Sequence, residues 1–246
     1  MVEAAARAVA EGLPDPADGG AGDLAAEIVV IAAHPALEHS RVTRALLEAL
    51  QAVQTPAQPA AAPSRPRVQV RDLYAMYPDY YIDVAAEQAA LERARLVVWL
   101  QPVHWYSMPP LLKLWLDEVF SFGWAYGPGG TALHGKDWWL VASTGGAETS
   151  YHPAGYNRYF FDVYLTPYEQ TARLTGMRWL PPLVLHGAHR TDDATLAAHA
   201  QLFVDRLHRW PAWPELSGLE ADDSCQVPAD ARPAPEAATA PALAAE

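Results

Sequence analysis

The densest cluster of aromatic and polar side chains, residues 102–108 (PVHWYSM), follows directly on an apolar run at 96–101. A flat heteroaromatic ring needs an apolar wall with backbone donors beside it. Pro102, Val103, His104, Trp105 and Tyr106 offer both, and would serve equally as a hydrophobic plug or a dimer contact. A second stretch, 34–40 (HPALEHS), ends another apolar run and leads into a helix start. Free backbone N–H groups there bind an anion, and His34 and Ser40 can add donors. The alternative is that Ser40 or His39 only caps the helix. A third stretch, Ser143, Thr144, Gly145 and Gly146, closes the run 137–143. Its glycines allow close approach to the backbone, with Tyr151 and His152 just beyond on the side a substrate would occupy; an ordinary glycine turn is the alternative.

Other chemistries find less support. Residues 127–132 (GPGGTA) match G-x-G-x-x-A but follow a helical pattern, not a strand. Residues 130–136 (GTALHGK) imitate a phosphate-binding loop, yet Asp137 stands where magnesium needs Ser or Thr, and a strand follows where a helix is required. No G-x-S-x-G occurs. His186 and His189 could share a metal, but H-E-x-x-H is missing and no metal site is expected.

The elements that must position these stretches follow from hydrophobic pattern. Strands are expected at 27–33, 67–72 (polar and apolar alternating, as on an edge), 96–101, 137–143 and 179–185, the last an edge because of its two prolines. Helices are expected at 39–54, 83–93 with Asp83 as N-cap, from Pro109-Pro110 through Phe120, over 156–175 with a break at Pro167, and over 192–209. Residues 73–81 read as an aromatic loop. In the helix after Pro110, Leu111, Leu112, Trp115, Leu116, Val119 and Phe120 form one apolar stripe, and Lys113 and Asp117 a solvated pair. Strands alternating with helices give an α/β fold: a flavodoxin-like five-stranded parallel sheet, order 2-1-3-4-5, with helices on both faces. The three stretches then converge at the carboxyl edge, around the switch point where such sheets bind ligands.

Net charge is −12 over 246 residues, but residues 1–23 carry −4 and 214–246 carry −6. The body is therefore only slightly acidic, which argues against a nucleic-acid face. Three regions are expected: a disordered acidic extension at 1–23, the folded domain at 24–212, and a disordered Pro/Ala/acid tail at 213–246. One cysteine excludes an internal disulfide. No apolar run suits a membrane span and the first residues lack a secretory pattern, so a cytoplasmic location is expected.

The stretches AHPALEHS, LYAMYPDYYIDVAAEQAAL, PVHWYSMPPLLKLWLDEVFSFGWAYGPGGTALHGK, STGG and WLPPLVLHG together resemble the NAD(P)H:quinone oxidoreductase family of flavodoxin-like flavoproteins. They are most similar to the ancillary oxidoreductases of bacterial glutathione-gated potassium-efflux systems. The resemblance implies a homodimer with one flavin per subunit, FMN with FAD as the alternative, and two-electron reduction of quinones or related electrophiles by NADH or NADPH. It places His34, Ser40 and Arg41 at the flavin phosphate, and Pro102, Val103, His104, Trp105 and Tyr106 around the ring. Ser143, Thr144, Gly145 and Gly146 fall at the ring's pyrimidine side, with Tyr151 in the substrate pocket; Tyr151 and His104 are the catalytic candidates. It also implies a regulatory partner, the cytoplasmic domain of a potassium-efflux channel, and so a peripheral place at the inner membrane. The chain departs from the family pattern at Thr43 (often Asn), at His104 (often Gln), and at 156–158, where Tyr-Asn-Arg stands in the region of a downstream pocket histidine.

Overall fold

The structure is a computed structural model that describes residues 27–54 and 67–213. The expected disorder at 1–23 and in the tail beyond 213, and the Pro/Ala linker at 55–66, lie outside the described residues.

Five parallel strand positions run in the order β2-β1-β3-β4-β5, as the alternation of elements predicts. β1 (Ile28–Ala32) and β3 (Leu96–Pro102) are paired at the centre, with β2 (Val68–Asp72) on one edge and β4 (Asp137–Ser143) beyond β3. The fifth position is split: β5 (Arg178–Trp179) pairs with the start of β4 and β6 (Leu183–Leu185) with its end. One strand over 179–185 was expected. Pro181-Pro182 break it, since proline has no N–H for the ladder. Trp139 Nε1 donates instead to the Pro181 carbonyl at 3.0 Å.

Strand alternation divides the core between the two faces. Val29, Ile31, Val97, Trp99 and Trp138 face one side, and Ile28, Val30, Val98 and Trp139 the other. On the first face α4 (Pro110–Val119) lays down its predicted stripe. Trp99 meets Trp138 at 4.4 Å and Trp115 at 5.9 Å, edge to face, and Trp138 meets Trp179 at 5.5 Å. The indole nitrogens of these four tryptophans have no acceptor among the described residues, so ring packing, worth about 0.5–1.5 kcal/mol per pair beyond buried area, must hold them. On the second face α1 (Val42–Gln54) and α6 (Asp193–Arg209) cover Trp139, whose ring stacks on Phe203 and meets Trp213 at 4.9 Å. The folded body thus continues to Trp213, past the composition change at Pro211.

Three local expectations need correction. The first helix begins at Val42 rather than 39, after a 3₁₀ turn at Leu37–His39. The aromatic stretch 73–81 opens with a short helix, α2 (Leu73–Met76), because Asp72 accepts from the Ala75 amide. The region 156–175 is not one helix: turns lead to a 3₁₀ segment, Phe161–Tyr164, and then to α5 (Thr166–Leu174), whose first turn holds Pro167, where proline is tolerated. The N-cap of α3 (Val84–Arg93) is as expected, Asp83 accepting from the Ala86 amide. Lys113 and Asp117 form the exposed pair on α4.

His199, on the buried side of α6, is 9 % exposed, and its Nε2 has no partner among the described residues. Burial lowers its pKa from 6.5 to about 4. The folded state therefore holds it neutral while the unfolded chain protonates near 6.5. The associated stability is fully present above that pH and lost as pH falls through about 4. Tm should drop over this window, by an equivalent of about 3 kcal/mol for this residue. His199→Leu should flatten the drop; an unchanged Tm–pH curve in thermal melts would contradict this.

Candidate functional site

The loop after β1 turns on itself before entering α1. His34 Nδ1 accepts from the Ala36 amide at 3.1 Å, and Ser40 Oγ accepts from the Thr43 amide at 3.1 Å. Ser40 thus caps α1, which was one of its two expected roles. The amides of Arg41 and Val42 make no hydrogen bond to the described residues. Arg41, expected at the same anion, sends its guanidinium to the start of α6, to the Thr191 carbonyl at 2.8 Å and Asp193 at 2.7 Å.

The loop after β3 is a two-residue hairpin. His104 and Ser107 exchange backbone hydrogen bonds at 3.1 and 2.9 Å, leaving Trp105 and Tyr106 as the turn. Both have positive φ, 48° and 64°. A turn of this hand normally uses Asn-Gly, because left-handed backbone costs bulky residues about 1–2 kcal/mol each. The strain displays Trp105, 93 % exposed, at the tip. Tyr106 stacks on Tyr164 with ring centres 5.0 Å apart. The hairpin is braced at its base, where the Val103 amide donates to the Ser143 carbonyl at 2.7 Å. Burial lowers the pKa of His34 and of His104, and His104 depresses His34 further, so the two rings at the ends of β1 and β3 are held neutral.

The turn after β4 is tied to the segment after β6. Thr144 N donates to the Leu185 carbonyl, Ala188 N to the Thr144 carbonyl, and Gly187 N to the Gly146 carbonyl, at 3.0, 2.9 and 2.8 Å. The Thr144 hydroxyl donates to the Gly146 carbonyl at 2.7 Å and lies 3.0 Å from His186 Nδ1. Burial raises the pKa of Tyr151, and the nearby Thr144 hydroxyl partly offsets that rise. Tyr151 is 5 % exposed and sits under Gly146, where an added Cβ would lie 3.6 Å from its hydroxyl. The amides of Gly145 and Gly146 make no hydrogen bond to the described residues.

The loops after β3 and β4 line an open cleft of about 330 Å³ with Val103, Trp105, Tyr106, Gly146, Ser150, Tyr151, Tyr156 and Asn157; the loop after β1 does not line it. The hairpin and the glycine turn therefore meet in one depression. His104 contributes backbone to the hairpin without lining the cleft, and Pro102 and Ser143, paired at the end of the ladder, do not line it either. Sequence reading assigned Ser150 and Asn157 no role, and weighed His186 only as half of a possible metal pair with His189. His186 was detectable as the first polar residue after the apolar run 183–185, at the sheet edge where the other loops begin. It and His189 flank the Thr144-Gly145 turn, and no group of three or more metal-ligating residues occurs among the described residues. A larger depression of about 920 Å³ lies at the opposite, amino edge of the sheet. Its cations are engaged in structure: Arg178 clasps Asp137, Lys136 binds the Glu92 and Ala94 carbonyls, and Arg95 lies over Trp210. It is remote from the three loops despite its size.

The family model for a flavodoxin-like fold, Flavodoxin_2, matches residues 26–207. The chain belongs to this family. Among solved structures, a protein from Streptomycin violaceusniger described as a thermophilic tryptophan halogenase is 38% identical, with a TM-score of 0.66 over 75% of this chain and 99% of that one. General stress protein 14 from Treponema denticola, solved in complex with FMN, is 34% identical, with a TM-score of 0.65 over 74% and 97%. An NADPH-quinone reductase from P. pentosaceus is 26% identical, with a TM-score of 0.60 over 73% and 99%. Each of these three covers about three quarters of this chain and nearly all of its own. No helix of the described residues is long and apolar enough to cross a membrane.

Proposed function

We propose that this chain binds FMN in the carboxyl-edge cleft and acts as an NAD(P)H:quinone oxidoreductase. The observation that carries the reading is the meeting of the aromatic hairpin with Gly146, in a turn whose 145 and 146 amides make no hydrogen bond to the described residues, in one cleft. The residues fit a flavin. Val103, Trp105 and Tyr106 would wall the ring, Gly145 and Gly146 would donate to its polar edge, and the amides at the start of α1 would receive the phosphate. The FMN complex of the 34% identical relative supports FMN over FAD, and the reductase from P. pentosaceus supports quinone as acceptor. Bound FMN supplies hydride chemistry that no side chain provides. This chain's part is to hold the ring, exclude water with aromatic walls, and keep His34 and His104 uncharged beside it. Tyr151, buried with a raised pKa, stays protonated at neutral pH and orients groups through its hydroxyl.

The homodimer belongs to the same proposal. Trp105 and Tyr156 on the cleft are 93 % and 88 % exposed, and Tyr159, whose ring meets Tyr164 at 6.5 Å, is 58 % exposed. Apolar surface of that kind on a single protomer marks a face made to be covered, and a second copy is the occupant proposed. The potassium-efflux partner implied by resemblance has no counterpart among the structural neighbours described above.

The test is to release the chromophore by heat, identify it by chromatography, and assay NADH and NADPH oxidation with and without quinone. FMN together with quinone-stimulated oxidation is expected. FAD, an absence of flavin after reconstitution, or full FMN occupancy without quinone turnover would overturn the reading.

A further inference from the structure

The turn that offers the Gly145 and Gly146 amides depends on one hydroxyl. Thr144 Oγ1 has a single hydrogen, and the 2.7 Å contact to the Gly146 carbonyl takes it. Toward His186 Nδ1, 3.0 Å away, Thr144 can then only accept, so His186 must carry its proton on Nδ1. The imidazole is fixed from its other sides by Tyr151, with ring centres 5.3 Å apart, and by Phe161, edge to face at 5.0 Å. His186 leads directly into Gly187, whose amide, with φ of +70°, closes the clamp on the Gly146 carbonyl. The histidine therefore couples the end of β6 to the turn after β4 through both side chain and backbone.

We propose that His186 is a positioning residue: as a neutral Nδ1–H donor it locks the Thr144 hydroxyl onto the Gly146 carbonyl and so holds the 145–146 amides open toward the cleft. The inference rests on the FMN reading for its consequence, but not for its geometry. Burial, which lowers the His186 pKa to about 4, keeps the ring neutral across the physiological range.

Two substitutions separate positioning from packing. In His186→Asn the amide Nδ2–H can replace the Nδ1–H donor, whereas His186→Phe keeps a planar ring and loses the donor. Native-state amide exchange of Gly187 and Ala188 is measured in the full chain without added flavin, and FMN affinity is measured by fluorescence titration. His186→Phe should speed exchange of both amides about tenfold and weaken FMN about tenfold, and His186→Asn should restore most of both. Equal behaviour of the two variants, whether both intact or both impaired, would overturn the proposal. If wild type binds no FMN, the functional reading fails by itself. The exchange arm still decides: selective loss in His186→Phe supports the positioning role, and unchanged exchange refutes it.

Discussion

Replacing Glu87 by alanine is expected to cost about 3–5 kcal/mol, the usual penalty for stranding one partner of a buried ion pair. Glu87 is fully buried on α3 and accepts from Arg71 Nε at 2.8–2.9 Å and from the Tyr77 hydroxyl. Arg71, 8 % exposed, comes from the edge strand β2, and Tyr77, 6 % exposed, follows α2. One carboxylate therefore ties three consecutive elements together, and burial beside it pushes the Tyr77 pKa up to about 12. Removing the carboxylate leaves a buried guanidinium and phenol without their acceptor. Glu87→Gln should cost less, because the amide oxygen still accepts one hydrogen bond while the charge is lost. Urea denaturation of the two variants and wild type would show the order. Alanine within 1 kcal/mol of wild type would mean the cluster is solvated in solution and does not anchor β2.

That cluster marks the limit of sequence reading here. The alternation in β2 was visible, and with it the expectation of a half-buried edge strand. The pairing inverts the simplest form of that pattern: Val70 is 37 % exposed while Arg71 goes in. Nothing in a local pattern announces this, because the partner that makes Arg71 buriable lies sixteen residues on. By contrast, β4 was legible to the residue. All seven residues are buried; from Trp138 to Ser143 they are apolar or small, so hydrophobicity fixes that run, while Asp137 at its start is buried against Arg178. Strand order followed from the alternation of elements, and the convergence of three loops from strand order. What local pattern could not give was direction within the loops. Arg41 sits in the right stretch yet binds α6, His104 supplies backbone rather than cleft wall, and Tyr151 lies beneath the glycine turn. His186 belongs to the site only because Thr144, forty-two residues earlier, meets it across β4 and β6.

The second large effect lies at the hairpin tip. Trp105→Asn is expected to stabilise the flavin-free chain by about 0.5–1 kcal/mol and to weaken FMN binding at least about tenfold. The first half follows from the backbone. Trp105 holds φ of 48° and Tyr106 φ of 64°, where Asn is tolerated and a bulky side chain is strained. At 93 % exposure, the indole gives back almost no packing within the protomer for that strain. The expected rise in Tm is a few degrees for a chain of this size. The second half follows from where the strain points. A left-handed turn built of aromatics instead of Asn-Gly lifts a large flat surface over the cleft beside Gly146 and Tyr151. Loss of one such ring contact, about 1–1.5 kcal/mol, is roughly a tenfold change in Kd. The two signs must be opposite for the hairpin to be a functional rather than a structural feature. Thermal melts of the flavin-free protein and FMN titrations on the same preparation read both. A Trp105→Asn protein that melts lower and binds FMN as tightly as wild type would show that the indole supports the fold and leaves the flavin to other walls.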